Sequence, residues 1–136
     1  MDSCIFCKIA HKEIPGTYVY EDDLCVAFLD LSQVTKGHTL VVPKAHIKNI
    51  LEADSEIAGH LFKVATQLSK QIVANLGAIG CNILSNANEV AGQTVMHFHI
   101  HIIPRYSEKD GFQTTFENNE GEFDLNEIQS LICSQH

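Results

Sequence analysis

Gln93-Thr94-Val95-Met96-His97-Phe98-His99-Ile100-His101-Ile102-Ile103-Pro104 is the stretch on which the reading of this chain turns. Three histidines alternate with large apolar residues. Side chains of a strand point to opposite faces with period two. The alternation therefore predicts a strand with His97, His99 and His101 on one face. Met96, Phe98, Ile100 and Ile102 take the other, which reads as core. At the rise of a strand the three imidazoles stand about 6.5–7 Å apart. One histidine on a strand is usually a satisfied core or surface residue, and two at i, i+2 often bind metal. Three on one face, backed by a packed apolar face, exceed what packing needs, and catalysis is the favoured reading over a purely metal-binding one.

Neutral imidazole is a nucleophile near neutral pH because its pKa lies near 6.5. It attacks phosphorus or an acyl carbon directly, and water then removes the covalent histidine adduct. Neighbouring histidines stabilise phosphate charge or protonate a leaving group. The loop before the histidines supplies Ser85, Asn86, Gly92, Gln93 and Thr94, which suit phosphate oxygens; alone, it would read as a polar hairpin loop. Gly92 lets the backbone approach a ligand closely. The chain has no nucleophile elbow, P-loop, Rossmann glycine pattern or kinase signature.

The 136 residues suffice for one domain with a real core, and 45% are apolar. The net charge is −8 and the nine basic residues are scattered. That argues against a nucleic-acid partner, which needs several Lys or Arg on phosphates. No apolar run is long enough for a membrane span. Met1-Asp2-Ser3-Cys4 shows no basic-then-apolar leader, so a cytoplasmic location is expected. Five cysteines in such a chain argue against disulfides. Cys25, Cys81 and Cys133 read as small core fillers.

The pattern predicts a short helix over Cys4–Ala10 and strands at Tyr18–Glu21, Cys25–Leu29, His38–Pro43 and Cys81–Ser85, before the histidine strand. A short helix is expected over His46–Glu52. Asp54 or Ser55 should cap a long helix, with Ile57, Leu61, Val64, Leu68, Ile72 and Leu76 forming its core stripe and Gly77 ending it. Phe123–Ile132 reads as an amphipathic helix that must dock on something. The expected fold is α+β, a mostly antiparallel sheet with one long helix. A single domain spans 1–136, with its core at about 3–106 and an extension at 107–136.

Cys4 and Cys7 form a C-x-x-C pair, half of a common zinc site. His11, His38, His46, His60 and His97 are available to complete it. A redox pair or two unrelated thiols remain open, although no thioredoxin-like context follows.

His97-Phe98-His99-Ile100-His101-Ile102-Ile103 resembles the signature of the histidine triad (HIT) superfamily. Ile5-Phe6-Cys7-Lys8-Ile9, Ala27-Phe28-Leu29-Asp30, Gly37 to His46 and Ala91-Gly92-Gln93-Thr94-Val95 resemble blocks of its Hint branch. The resemblance covers about residues 3–106, and the tail is similar to that of bacterial members. It implies a five-stranded antiparallel sheet and a homodimer whose sheets join. It also implies hydrolysis of nucleoside 5′-phosphoramidates or related purine nucleotide conjugates to the nucleoside monophosphate. His99 would be the nucleophile, His101 would contact the phosphate and leaving-group side, and His38 would support the triad. Asp30 would accept hydrogen bonds from ribose. Asn86, Gly92, Gln93 and Thr94 would hold the α-phosphate, and Phe6, Ile9 and Leu29 would line the base cleft. Cys4, Cys7, His46 and His97 would form a structural Zn2+ site, with no organic cofactor. A dinucleoside polyphosphate hydrolase is the runner-up, and a nucleotide-binding interaction protein with incidental hydrolysis is the reading from another class.

Overall fold

The computed structural model describes residues 3–134. Its elements are α1 (Ile5–Ala10), β1 (Tyr18–Glu21), β2 (Cys25–Leu29), β3 (Thr39–Pro43), α2 (Ser55–Leu76), β4 (Gly80–Leu84), β5 (Ile100–Arg105) and α3 (Leu125–Cys133). The strands form one antiparallel sheet in the order β1-β2-β3-β5-β4. Two of the three interior strands, β2 and β3, are almost wholly buried, which is why they read as continuous apolar runs.

The sheet separates two cores. On one face Leu61, Val64, Ala65 and Leu68 of α2 pack on Cys25, Ala27, Val41, Phe98, Ile100 and Ile102. On the other, Phe6 and Ala10 of α1 pack on Val26, Phe28, Leu40 and Val42. Asp54 caps α2 by accepting from the Ile57 N–H at 2.9 Å, and Gly77 ends it in the left-handed conformation at φ 74°. No helix among the described residues is long and apolar enough to cross a membrane.

Four expectations need correction. No helix forms over His46–Glu52, because that segment spends its polar groups on the loop opposite: the Ile47 carbonyl accepts from Phe98 N–H, and the Lys48 carbonyl from Gln93. The fifth strand starts at Ile100, so Gln93 to His99 lie outside it. Its last ladder partner on β3 is Val41; beyond that, Pro43 turns its carbonyl to the His97 ring instead. Cys81 and Cys133 are exposed, and among the three lone cysteines Cys25 alone fills core. Finally, α3 buries none of its residues: Leu125, Leu131 and Ile132 face outward, and nothing among the described residues covers them.

Gly37 joins the loop after β2 to β3 at φ 95°, and a Cβ there would sit 2.5 Å from Leu76 Cδ1 at the end of α2. Both the backbone and the contact oppose a side chain. Gly37→Ala is expected to cost about 2–3 kcal/mol of stability, measured as a lower midpoint in urea with an unchanged m-value.

Candidate functional site

The residues that end β2, begin β3 and run into β5 meet on the α1 face of the sheet. Alternation puts Asp30, His38 and His101 on that face, opposite the α2 core. His99, one step before β5, joins them: its ring lies 4.9 Å from that of His101 and 5.0 Å, edge to face, from Phe6. His97 and His99 are buried, and His101 is half-buried.

Each triad imidazole makes a different hydrogen bond, and these bonds assign its tautomer. His99 donates from Nδ1 to the His97 carbonyl at 2.6 Å, which leaves the Nε2 lone pair available. His38 accepts from the Val34 N–H at Nδ1, 3.3 Å, so its proton is on Nε2. That Nε2–H donates to His101 Nδ1 at 3.0 Å, which places the His101 proton on Nε2. His97 donates from Nε2 to the Pro43 carbonyl at 2.8 Å and turns Nδ1 to two sulfurs. The three histidines thus present a lone pair, a donor and a metal-type ligand, a division that composition could not reveal.

Burial holds these rings neutral. It lowers His99, against the opposing His97 carbonyl bond and Asp30 charge. It takes His101 down to about 4, helped by His99 and His38. Burial also lowers His38, with Asp30 pulling the other way from 3.8 Å. Asp30 keeps Oδ1 on the Ser32 N–H at 2.8 Å.

The other expected ligand residues divide. Asn86 reaches across its loop to the Gly92 carbonyl at 3.4 Å, and Gly92 adopts φ 104° with Asn86 Nδ2 3.3 Å from where a Cβ would stand. Phe6 packs on the α1 side beside His97 and His99, and the half-buried Ile9 packs against the same core. Leu29 does not join them. It follows Cys25 and Ala27 onto the α2 face, where it lines an apolar groove of roughly 390 Å³ with Leu68, Ile72 and Leu76. Thr94 is exposed and lines a cleft of roughly 470 Å³ with Cys4, Ile5, His46, Val95 and Met96. Gln93 is buried, and its side chain faces the interior. Asn49, which no sequence pattern singled out, is buried against it.

Cys4, Cys7, His46 and His97 bring one ligand atom each to within 4.8 Å of all the others. Cys7 Sγ lies 3.3 Å from His46 Nδ1 and 3.5 Å from His97 Nδ1, and Cys4 Sγ lies 3.3 Å from His97 Nδ1. A tetrahedral ion with S and N ligands at ordinary bond lengths separates S from N by about 3.6 Å. The set therefore fits zinc, and the Pro43 carbonyl on His97 supplies the usual outer partner of a ligating imidazole. Without an ion, burial and then the neighbouring Cys4 push the Cys7 thiol up; a metal reverses that, since ligating thiols deprotonate. The other candidate histidines are spent elsewhere. His11 bonds the Lys44 carbonyl, and His60 bonds Asp22 at 2.7 Å. Burial alone would raise Asp22, but bonds from Tyr20, His60 and the Leu24 and Cys25 amides hold it well below the carboxylate range, so it is a structural hub.

The HIT domain family model matches residues 11–108. The protein hit of Bacillus subtilis is 44% identical over 133 residues, 98% of this chain and 92% of that protein. The adenosine 5′-monophosphoramidase hnt1 of Schizosaccharomyces pombe is 38% identical over 109 residues, 80% of this chain and 79% of that one. A HIT family protein from Bacillus anthracis superposes with TM-score 0.90 at 47% identity, covering 96% of this chain and 93% of its own. A Zn-bound histidine triad family protein from Mycobacterium smegmatis superposes with TM-score 0.78 at 32% identity, covering 88% and 86%. The motif, the fold built around it and these likenesses agree: the chain belongs to the HIT family.

Proposed function

We propose that the chain is a nucleotide hydrolase that cleaves nucleoside 5′-phosphoramidates, or related purine nucleotide conjugates, through a covalent nucleotidyl-histidine on His99. The observation that carries this is the tautomer of His99, whose Nδ1–H is fixed on the His97 carbonyl so that Nε2 is the nucleophile. A relative named as a monophosphoramidase supports the substrate class.

His99 Nε2 attacks the α-phosphorus, a P–N(His) bond forms and the P–N bond to the amine breaks. The departing amine takes a proton from His101 Nε2–H, whose Nδ1 is held by His38 Nε2–H. Water then attacks phosphorus and returns a proton to His101 Nε2, the P–N(His) bond breaks, and the nucleoside monophosphate leaves with both histidines in their starting forms. Asp30 takes the ribose hydroxyls on its Oδ2, while Asn86, Gly92 and Thr94 take the α-phosphate. Phe6 and Ile9 face the base. Cys4, Cys7, His46 and His97 would hold a structural zinc, which would tie α1 to the segment that carries His99. The chain works as a homodimer joined at the open edge of β4, beside the exposed Ile79 and Ile83.

The test is steady-state release of AMP from adenosine 5′-phosphoramidate. Binding of AMP with no turnover of any conjugate would contradict the reading. Because burial depresses His99, its neutral form persists below the ordinary imidazole pKa. The acid limb of kcat/KM is therefore expected to be centred below the ordinary imidazole value of about 6.5. An acid limb centred above pH 7 in kcat/KM would count against His99 as the free-base nucleophile.

A further inference from the structure

Gln93 stands next to Gly92 in the loop before the triad, yet it is only 2% exposed. Its amide is fully used inside the chain. Nε2 donates to the carbonyls of Lys48 at 2.7 Å and Val95 at 3.0 Å. Oε1 accepts from the Asn88 N–H at 2.8 Å and from Asn49 Nδ2 at 3.1 Å. The Gln93 backbone N–H is spent on the Asn88 carbonyl at 3.1 Å. A primary amide has two donor hydrogens and two acceptor lone pairs, so none is left for a ligand.

Asn49 is as buried as Gln93, and both its donor hydrogens are used. Its Nδ2 also donates to Asn88 Oδ1 at 3.0 Å, and its Oδ1 accepts from the Leu51 N–H at 3.0 Å. Both amides converge on Asn88, whose backbone sits at φ 76°, ψ 161°. That region belongs almost wholly to glycine, and other residues persist there only where their surroundings force them. Asn88 lies between Asn86 and Gly92, the two loop residues assigned to the phosphate.

We propose that Gln93 and Asn49 are positioning residues that clamp the strained turn at Asn88 and so hold the 86–92 loop in its phosphate-receiving shape, without touching the phosphate themselves. This rests on the nucleotide-conjugate reading above. The clamp is anchored at its far side, since Asn49 follows His46 of the metal cluster and Ile47, whose carbonyl accepts from Phe98 N–H at 2.6 Å.

The test uses the full chain with Gln93→Ala, Asn49→Ala, the double variant and Asn88→Gly. Three readouts are taken: hydrogen exchange across 86–92, thermal unfolding, and kcat/KM with adenosine 5′-phosphoramidate. Each single alanine variant is expected to speed exchange in this loop and to lower kcat/KM about 100-fold. The double variant should be no more than about threefold worse than the worse single, because both act through one clamp. Asn88→Gly relieves the backbone strain but removes the Oδ1 that accepts from Asn49, so it should keep near-parental stability while exchanging faster and turning over more slowly. That split is one a merely structural role would not produce, and the variant keeps the test open should Gln93→Ala fail to fold. Multiplying losses, or a normal kcat/KM in Asn49→Ala beside a large loss in Gln93→Ala, would mean that Gln93 binds the phosphate directly and would overturn the proposal. Unchanged loop exchange in Asn49→Ala and Asn88→Gly would overturn it as well. If the parent turns over no conjugate, the reading of the site fails, and exchange still decides the clamp.

Discussion

His99→Ala is expected to abolish turnover while leaving nucleoside monophosphate binding within a few-fold of the parent. In the proposed mechanism this imidazole forms the bond to phosphorus, and one backbone hydrogen bond at 2.6 Å fixes the Nδ1 proton that leaves its Nε2 lone pair free. Removing a nucleophile whose adduct splits one hard step into two costs on the order of 10⁴-fold or more in kcat. Binding should survive because Asp30, the 86–92 loop and the Phe6 side are not altered. His101→Ala is expected to behave differently. It deletes the donor that His38 orients, so it should slow departure or hydrolysis by roughly 10²–10⁴-fold without removing the nucleophile. Titration of AMP by calorimetry beside single-turnover kinetics checks both. A His99→Ala protein with parental turnover would rule the mechanism out.

Zinc at the Cys4, Cys7, His46 and His97 cluster carries the second large expected effect. With Cys4, Cys7, His46 and His97 holding zinc at a concentration a thousand times its dissociation constant, occupancy adds about 4 kcal/mol to stability. At the size of this domain that is roughly 10–15 °C in Tm. A strong chelator at neutral pH should lower Tm by that amount, and zinc should restore it. Cys7→Ser should start from the lower value and respond to neither addition. Loss of zinc should also slow AMP release, because His97 supplies the carbonyl that fixes the His99 tautomer. A chelator-treated protein that has lost its zinc yet keeps its Tm would show that the cluster carries no structural ion.

The sequence made the frame of this site readable, for physical reasons visible in particular residues. Period-two alternation separated Phe98, Ile100 and Ile102 from the histidines, and the α2 stripe from Leu61 to Leu68 lies where its spacing put it. Asp54 and Gly77 bound α2 because capping is local chemistry that neighbouring residues decide. The family resemblance, beyond any spacing rule, named Cys4, Cys7, His46 and His97 as one set, and they do converge.

What local pattern could not carry was set by partners distant in the chain. The strand broke before Ile100 because Phe98 N–H bonds the Ile47 carbonyl and the His97 ring bonds Pro43, more than forty residues away. The expected helix over His46–Glu52 lost to the bonds on the Ile47 and Lys48 carbonyls. Leu29 was misplaced because a strand fully buried on both faces gives no alternation from which to choose a side. Asn49 and the inward turn of Gln93 had no sequence signal, since a polar residue in a loop reads alike whether it faces water or a buried network. Leu125, Leu131 and Ile132 of α3 do read as an apolar stripe, but nothing among the described residues covers them.

The central claim is covalent transfer of a nucleotidyl group to His99. Intact-protein mass spectrometry tests it most directly, with the protein mixed with adenosine 5′-phosphoramidate and quenched without acid, since a phosphoramidate bond to histidine is acid-labile. The account predicts a transient adduct of one adenylyl group in the parent, absent in His99→Ala and longer-lived in His101→Ala. AMP release with no adduct at any time, or an adduct that persists in His99→Ala, would contradict it.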